Sequence, residues 1–250
     1  IGGLCGATLA SAQGDLGVIH WSVLNPATRQ LEGLWPKVVL PMILSPTIGI
    51  VVAFLFMGLL LLAFHRCRPL SLKRAFSRCQ LLSAAWMSFS HGTNDAQKTM
   101  GIIALTLFAA TTRGNAFDHL PPWLEFLRSP EFKVYTWIKI VCALTITAGT
   151  AAGGWRIINT VGRKLVRLQP VHGFAAQSTA AAIIHLASSV GIPLSTTHVI
   201  TASVMGAGAT RGFHAVKWTV AERMVWAWLL TLPVTSALGF IFVWCWSVMA

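Results

Sequence analysis

The amino-acid sequence predicts an all-α integral membrane protein, and its composition gives three reasons. Apolar residues account for 55% of the 250 side chains, charged residues for only 10%, and the mean hydropathy is +0.67. Soluble domains carry about 25% charged residues, so these values exclude an ordinary soluble fold, a disordered chain and a disulfide scaffold. The five cysteines are scattered without CxxC pairs, and we expect them to be reduced.

Three segments are long and apolar enough to cross the hydrocarbon core as helices. Val38–Phe64 contains no charge, Val134–Gly154 contains only Lys139 near one end, and Trp226–Val248 contains none. Residues 1–12 indicate the end of an apolar helix rather than a signal peptide. Tryptophans, which favour the membrane interface, lie near the predicted span ends: Trp35, Trp137, Trp155, Trp226, Trp244 and Trp246.

Two further apolar regions are interrupted by polar residues. Gln80–Thr112 is long enough to cross, but Ser88–Thr99 carries nine polar or charged residues, so we expect a broken helix there. His172–Thr210 contains two apolar stretches that meet at Gly191–His198, where a glycine and a proline make a continuous helix unfavourable. The second region therefore predicts a helical hairpin whose polar tip lies within the membrane.

The basic residues predict the sidedness of the connections. The formal net charge of +12 is explained by the positive-inside rule, so no nucleic-acid partner is expected. Residues 13–37 and 111–133 carry five cations and five of the seven acids, and we place them outside. Twelve cations fall in three stretches that we place inside: Arg66, Arg68, Lys73, Arg74 and Arg78; Arg156, Arg163, Lys164 and Arg167; and Arg211, Lys217 and Arg223.

Asp95 and Lys98 are the ionisable residues that most need an explanation, because they lie in the middle of a presumed membrane segment. An ionised side chain there costs about 3 kcal/mol or more unless it faces a partner, an ion or water. One alternative is an internal ion pair at i, i+3 that only joins helices. The other is a cation site, in which Asn94 and Asp95 provide oxygen ligands. Neighbouring polar residues offer more ligands than one ion pair needs: Ser90, His91, Thr93, Gln97 and Thr99.

Ser195, Thr196, Thr197 and His198 form the second polar cluster, at the predicted hairpin tip. Hydroxyls beside the free N–H groups at a helix N-terminus suit an oxyanion. The simpler alternative is a Ser/Thr helix cap.

An internal repeat is indicated by the first residues of the chain. Ile1–Ala7 aligns with Thr201–Ala207, with small and apolar positions in step. The first copy leads into a connection predicted outside and the second into one predicted inside, as an inverted repeat requires.

The sequence His91–Gly101 (HGTNDAQKTMG) and the sequence Gly191–Val199 (GIPLSTTHV) resemble the two signature motifs in the second repeat of the inorganic phosphate transporter (PiT) family. The resemblance is to bacterial low-affinity permeases and extends along essentially the whole chain, which looks truncated at its N-terminal side. It implies an inverted-repeat secondary transporter with broken helices and a re-entrant helical hairpin, in the inner membrane with multiple passes. By this resemblance, 1–12 ends a first-repeat hairpin helix, 13–64 is an outer loop and a transmembrane helix, 65–79 is a basic cytoplasmic linker, and 80–250 is the second repeat.

The resemblance also implies roles for individual residues. Asn94 and Asp95 would help to bind the coupling cation, and Ser195, Thr196 and Thr197 would help to bind phosphate. No metal site and no cofactor are expected, and the coupling ion is left open between H⁺ and Na⁺, with H⁺ favoured slightly because His91 and His198 can titrate. The expected partners are inorganic phosphate, the cation and the lipid bilayer, and a homo-oligomer is left open. Motif positions without an assigned role are His91, Thr93, Gln97, Lys98 and His198.

Three alternatives remain beside this hypothesis. Sulfate or another oxyanion is the nearest, since it has similar shape and charge. An intramembrane enzyme is a different class: His91 and Asp95 share a helical face as an acid–base pair, but no HExxH, GxSxG or phosphate loop accompanies them. A purely structural subunit is the third.

Overall fold

The computed structural model describes residues 1–26, 31–112, 117, 120–159 and 169–249, without the side chains of 155–159. These residues form seven α-helices and one short antiparallel hairpin of β1 (Val23–Leu24) and β2 (Leu31–Glu32). The predicted all-α class is confirmed. The helices are α1 (Gly2–Ser11), α2 (Leu40–Ala63), α3 (Pro69–Thr112), α4 (Thr136–Asn159), α5 (Pro170–Ser189), α6 (Thr196–Ala209) and α7 (Trp218–Met249).

The three predicted spans are confirmed as helices of membrane-crossing length and apolarity. They are Trp35–Ala63, Thr136–Gly154 and Trp218–Met249, so the last begins earlier than the predicted Trp226. Large apolar side chains on these helices point outward, such as Leu55 on α2 and Phe242 on α7. An exposed apolar surface of this kind fits a lipid environment and not water.

The expected break at Ser88–Thr99 is wrong, because α3 is continuous for 44 residues. This segment contains no proline, and two of its hydroxyls bond within the helix: Thr93 Oγ1 donates to the Phe89 carbonyl at 2.7 Å and Thr99 Oγ1 to the Asp95 carbonyl at 3.5 Å. At about 1.5 Å per residue, α3 is roughly twice as long as the hydrocarbon core is thick. The predicted linker 65–79 therefore passes into the first turns of α3, which begins at Pro69.

The predicted helical hairpin is confirmed as α5 and α6. Helix α5 ends in a Schellman motif, in which the Gly191 N–H donates to the Ser188 carbonyl at 3.2 Å and the Ile192 N–H to the Ala187 carbonyl at 2.9 Å. Gly191 has a φ of 71°, a left-handed conformation that glycine adopts without strain. The chain then runs extended to Ser195, and α6 begins at Thr196 rather than at Val199.

The hairpin is the core of the molecule. Eleven of the 14 residues of α6 are buried, and α5 contributes fully buried small residues such as Ala175, Ala176 and Ala180. Helix α3 packs along α5, α2 packs along both hairpin helices, and α4 packs on α3. Small side chains allow the helix axes to approach closely where the hydrophobic effect contributes little to packing.

The packing of α1 and α6 is reciprocal. Helix α1 packs on α7, the helix that follows the hairpin, whereas α6 packs on α2, the helix that follows α1. A Cβ added at Gly6 would collide with the Ser236 carbonyl of α7, and one added at Gly206 would collide with the Ile50 carbonyl of α2. Gly6 and Gly206 are equivalent in the alignment of Ile1–Ala7 with Thr201–Ala207. This exchange of partners is the arrangement expected of two inverted copies.

The predicted inner basic stretches are described in part. The five cations in 66–78 are all exposed. The side chains of Trp155 and Arg156 and the whole of Arg163, Lys164 and Arg167 lie outside the described residues.

Candidate functional site

One face of α3 meets the hairpin tip. His91, Asn94, Asp95 and Lys98 are spaced three and four residues apart, so a continuous helix places them on one side. The unbroken course of α3 therefore places on one helical face residues that were predicted to lie within a break.

The carbonyl oxygen of Leu194 is the contact point on the hairpin tip. It accepts a hydrogen bond from Lys98 Nζ at 2.6 Å and one from Asn94 Nδ2 at 3.2 Å. Leu194 lies in the extended segment after Pro193, where the backbone makes no helical hydrogen bonds, so its carbonyl is free for α3.

Asn94 is buried, with 2% of its surface exposed, and all of its polar atoms are used. Its Oδ1 accepts from Ser188 Oγ at 3.2 Å, and its Nδ2 donates to Leu194 and, at 3.3 Å, to Asp95 Oδ1. Asn94 thus joins α3 to the end of α5 and to the tip before α6.

The carboxylate of Asp95 is the centre of the cluster, and about a third of its side chain is exposed, at 33%. Oδ1 lies 3.4 Å from Lys98 Nζ and 3.3 Å from Asn94 Nδ2. Oδ2 accepts from Thr196 Oγ1 at 3.3 Å and lies 3.5 Å from His91 Nδ1, too far for a directed hydrogen bond. The Asp95–Lys98 ion pair considered from the sequence is present, but it is one contact in a larger network that includes both motifs.

The N-terminus of α6 lies beside this carboxylate. Ser195 caps the helix, and its Oγ accepts from the His198 N–H at 3.4 Å. Capping accounts for one amide, while the N–H groups of Thr196 and Thr197 have no intrahelical acceptor in a first turn. Thr196 is buried against Asp95, and Thr197 is exposed. The Ser195 cap therefore leaves two amides of the first turn without an acceptor in the helix.

Some motif residues face elsewhere. Thr93 bonds to its own helix, and Gln97 is exposed. The ring of His198 points away from Asp95 and stacks on Trp228 of α7, with the centroids 4.3 Å apart, and it also interacts with the backbone of Met42 on α2.

Sequence reasoning missed three participants: Ser188, the Leu194 carbonyl and Trp228. Ser188 had a weak signal, since it is a polar residue directly before the predicted tip. A backbone carbonyl has no sequence signal of its own, and Trp228 was assigned only to an apolar span. Among the described residues, no group of three His, Cys, Asp or Glu side chains is arranged to hold a metal ion.

Comparison with known sequences gives one consistent family. A profile of the phosphate transporter family matches residues 65–239. A probable low-affinity inorganic phosphate transporter of Bacillus subtilis is 37% identical over 239 residues, which is 96% of this chain and 63% of the relative. A protein of the same description from Mycobacterium leprae is 39% identical over 244 residues, 98% of this chain and 53% of the relative.

Comparison with solved structures supports the fold. The structure titled "The sodium-dependent phosphate transporter" matches all of this chain and 65% of its own, with a TM-score of 0.60 and 24% sequence identity. The chain thus spans between about half and two thirds of the proteins that it resembles.

Proposed function

The chain belongs to the phosphate transporter family, and from this premise we propose that it contributes to a secondary active transporter that moves inorganic phosphate across a membrane by symport with H⁺ or Na⁺. The family and the relatives are named as transporters and not as enzymes. The observation that carries the proposal is the contact between Asp95 and Thr196, where a charged motif on α3 meets a helix N-terminus inside an apolar helical protein.

Phosphate is assigned to the N-terminal turn of α6. The free amides of Thr196 and Thr197 and the hydroxyls of Ser195 and Thr197 donate hydrogen bonds, and the positive end of the helix dipole favours an anion. The coupling cation is assigned to Asn94 and Asp95, whose carboxylate provides the negative charge.

Thr196 connects the two assigned positions. Its hydroxyl donates to Asp95 Oδ2, while its backbone N–H belongs to the anion-binding turn. A phosphate dianion at this turn and the Asp95 carboxylate repel one another, so a cation at Asp95 makes anion binding more favourable. Binding of either ion then favours the other, which is the thermodynamic requirement for coupled transport.

The membrane arrangement follows from the charges. We place 13–37 and 111–133 outside and the basic residues 66–78 on the cytoplasmic side of the inner membrane, with α2, α4 and α7 crossing. Sodium is a candidate ion because the neighbouring solved structure is titled sodium-dependent. A proton is the alternative because His91 lies 3.5 Å from Asp95 Oδ2.

Uptake of radiolabelled phosphate into proteoliposomes that contain the full-length protein tests the proposal. Asp95→Asn is expected to lower saturable uptake by about tenfold or more, because hydrogen bonds to charged groups are worth about 1.5–3 kcal/mol each. Asp15→Asn is the matched control, since Asp15 is exposed and caps a short 3₁₀ turn that asparagine also caps. Imposed pH and Na⁺ gradients, applied separately, identify the driving ion.

Sulfate competition tests the substrate class in the same vesicles. HPO₄²⁻ can donate a hydrogen bond to a partly buried acceptor such as Asp95, whereas sulfate has no proton to donate and leaves the acceptor unpaired. Phosphate uptake that resists excess sulfate supports the assignment. Equal competition by sulfate contradicts it and favours a general oxyanion permease, and uptake unaffected by Asp95→Asn favours a structural role for this chain.

A further inference from the structure

Lys98 makes the shortest polar contact between α3 and the hairpin tip. Its ammonium nitrogen lies 2.6 Å from the Leu194 carbonyl oxygen and 3.4 Å from Asp95 Oδ1. These oxygens come from different elements and converge on a single cationic atom. About a third of the Lys98 side chain is exposed, at 34%, so the ammonium is held in the site rather than extended into solvent.

The oxygens around Lys98 Nζ are of the kinds that a hard cation uses. A sodium ion in a transporter is coordinated by carboxylate oxygens and by backbone carbonyls freed from helical hydrogen bonding. Asp95 Oδ1 is the first kind, and the Leu194 carbonyl in its extended segment is the second. The ammonium of Lys98 therefore occupies the position where these two ligands would hold a sodium ion.

The orientation of Asn94 agrees with this assignment. Its Nδ2 donates to both Leu194 O and Asp95 Oδ1, while its Oδ1 accepts from Ser188 on the other side. In this arrangement Asn94 offers N–H groups, and not an oxygen, to the position between the two ligands. With Asn94 oriented in this way, the surroundings of Lys98 suit an ammonium group better than a bare metal ion.

We infer that Lys98 is a resident cation that replaces sodium at this half of the site, so that the Asp95 carboxylate is neutralised without a bound metal ion. The inference rests on the proposed function for its physiological meaning and limits the coupling ion at Asp95 to H⁺, whereas the occupancy itself is a property of Asp95, Leu194 and Lys98. A positive charge about 4 Å away weakens the binding of a second cation by roughly fivefold even in bulk water, and by more in a partly buried site. Sodium binding that depends on Asp95 is consequently suppressed in the native protein.

Equilibrium binding of radiolabelled sodium to the full-length protein in detergent tests the inference without requiring transport. Lys98→Met keeps the length of the side chain and removes its charge. We expect this variant to bind sodium at least about fivefold more tightly than the native protein, and Asp95→Asn in the same background to abolish the gain. Lys139→Met is the matched control, because it removes an exposed lysine from another helix, and it should leave sodium binding unchanged.

Two results of the sodium-binding comparison would overturn the inference. One is native sodium binding that Asp95→Asn removes, because the site then accepts sodium beside Lys98. The other is a folded Lys98→Met protein that binds no more sodium than the native one. If Lys98→Met does not give a monodisperse protein, Lys98→Gln, which keeps a hydrogen-bond donor for Leu194, replaces it in the same comparison.

Phosphate uptake separates this inference from the proposed function. If the native protein transports no phosphate under any gradient, the proposed function fails, while the sodium-binding comparison still decides the role of Lys98. If Lys98 instead binds phosphate directly, Lys98→Met weakens phosphate binding equally with and without sodium, which contradicts the resident-cation role. Sodium-dependent recovery of phosphate binding in Lys98→Met supports it.

Discussion

Asn94 determines how the hairpin tip is attached to α3. Its side chain is buried and hydrogen-bonds to Ser188, Leu194 and Asp95, which lie on three different segments of the cluster. Removal of a buried amide destabilises a protein by more than the hydrogen bond itself is worth, because the former partner stays desolvated without a hydrogen bond. Asn94 is therefore as important for the position of the tip as for any bound ion.

Replacement of Asn94 by alanine should destabilise the protein more than replacement of its partner Ser188. Asn94→Ala removes three hydrogen bonds and leaves the Ser188 hydroxyl without this acceptor, for a cost of about 2–3 kcal/mol, whereas Ser188→Ala removes one bond and costs about 1 kcal/mol. Denaturant titration in detergent, followed by circular dichroism, measures the free energy of unfolding. Equal costs for the two variants would show that the bonds to Leu194 and Asp95 contribute nothing.

The sequence predicted the side chains of this cluster better than their geometry. Asp95 and Thr196 were assigned to separate motifs, one polar and charged and one at a helix start, and the structure brings them into contact. His198 belongs to the same motif as Thr196, yet two residues along a helix turn it by roughly 200°, toward Trp228. The Leu194 carbonyl was not predictable, because its direction depends on the turn set by Gly191 and Pro193.

At the scale of elements, close backbone contact between α6 and α2 determines the position of α6. Gly206 of α6 touches the backbone of Ile50 on α2, so a side chain at this position has no flexible neighbour to displace. Gly49 of α2 faces Ser203 and Ala202 in the same interface. Close approach of this kind, with small residues on both helices, is a common source of helix association in membranes.

Gly206→Ala is therefore expected to destabilise the protein by about 1–3 kcal/mol, the usual cost of overpacking. Gly58→Ala in α2 is the matched control, because no atom lies within 4 Å of its added Cβ. In a helix interior that change should be neutral or stabilise by up to about 1 kcal/mol. Thermal unfolding of both variants in detergent makes the comparison, and a loss of stability for Gly58→Ala as large as for Gly206→Ala would contradict it.

The presence of the three spanning helices was predictable from length and hydropathy, whereas the continuity of α3 was not. The three spans needed only about 20 apolar residues each. Ser88–Thr99 was expected to break α3 because its polar groups are costly in hydrocarbon, but several of them, including Thr93, Asp95 and Lys98, find partners in the hairpin or in their own helix. The segment also contains no proline to interrupt the helical backbone.

At the scale of the whole molecule, the reciprocal packing links each end of the chain to the other. Helix α1 packs on α7, and α6 packs on α2, so neither α1 nor α6 packs mainly on the span that follows it directly. An inverted arrangement requires that the segments after α1 and after α6 begin on opposite sides of the membrane. The charges agree with this requirement, because 13–37 is balanced and 211–223 is basic.

The sidedness of α2 provides the test of this arrangement. Asp15 precedes the span and Cys67 follows it, both are exposed, and a single crossing must place them on opposite sides. In a protein whose other cysteines are replaced by serine, we expect Cys67 to react with a membrane-impermeant maleimide only after spheroplasts are permeabilised. Asp15→Cys in a cysteine-free background should react in intact spheroplasts.

A retained Cys142 alone is the control for access, since this buried residue should resist labelling until the protein is denatured. Labelling of Asp15→Cys and Cys67 from the same side would mean that α2 does not cross, and the inverted arrangement would lose its basis. Labelling of Cys67 in intact spheroplasts, with Asp15→Cys protected, would keep the crossing but reverse the protein. In that case the basic residues 66–78 would lie outside, and the positive-inside rule would not be what orients this chain.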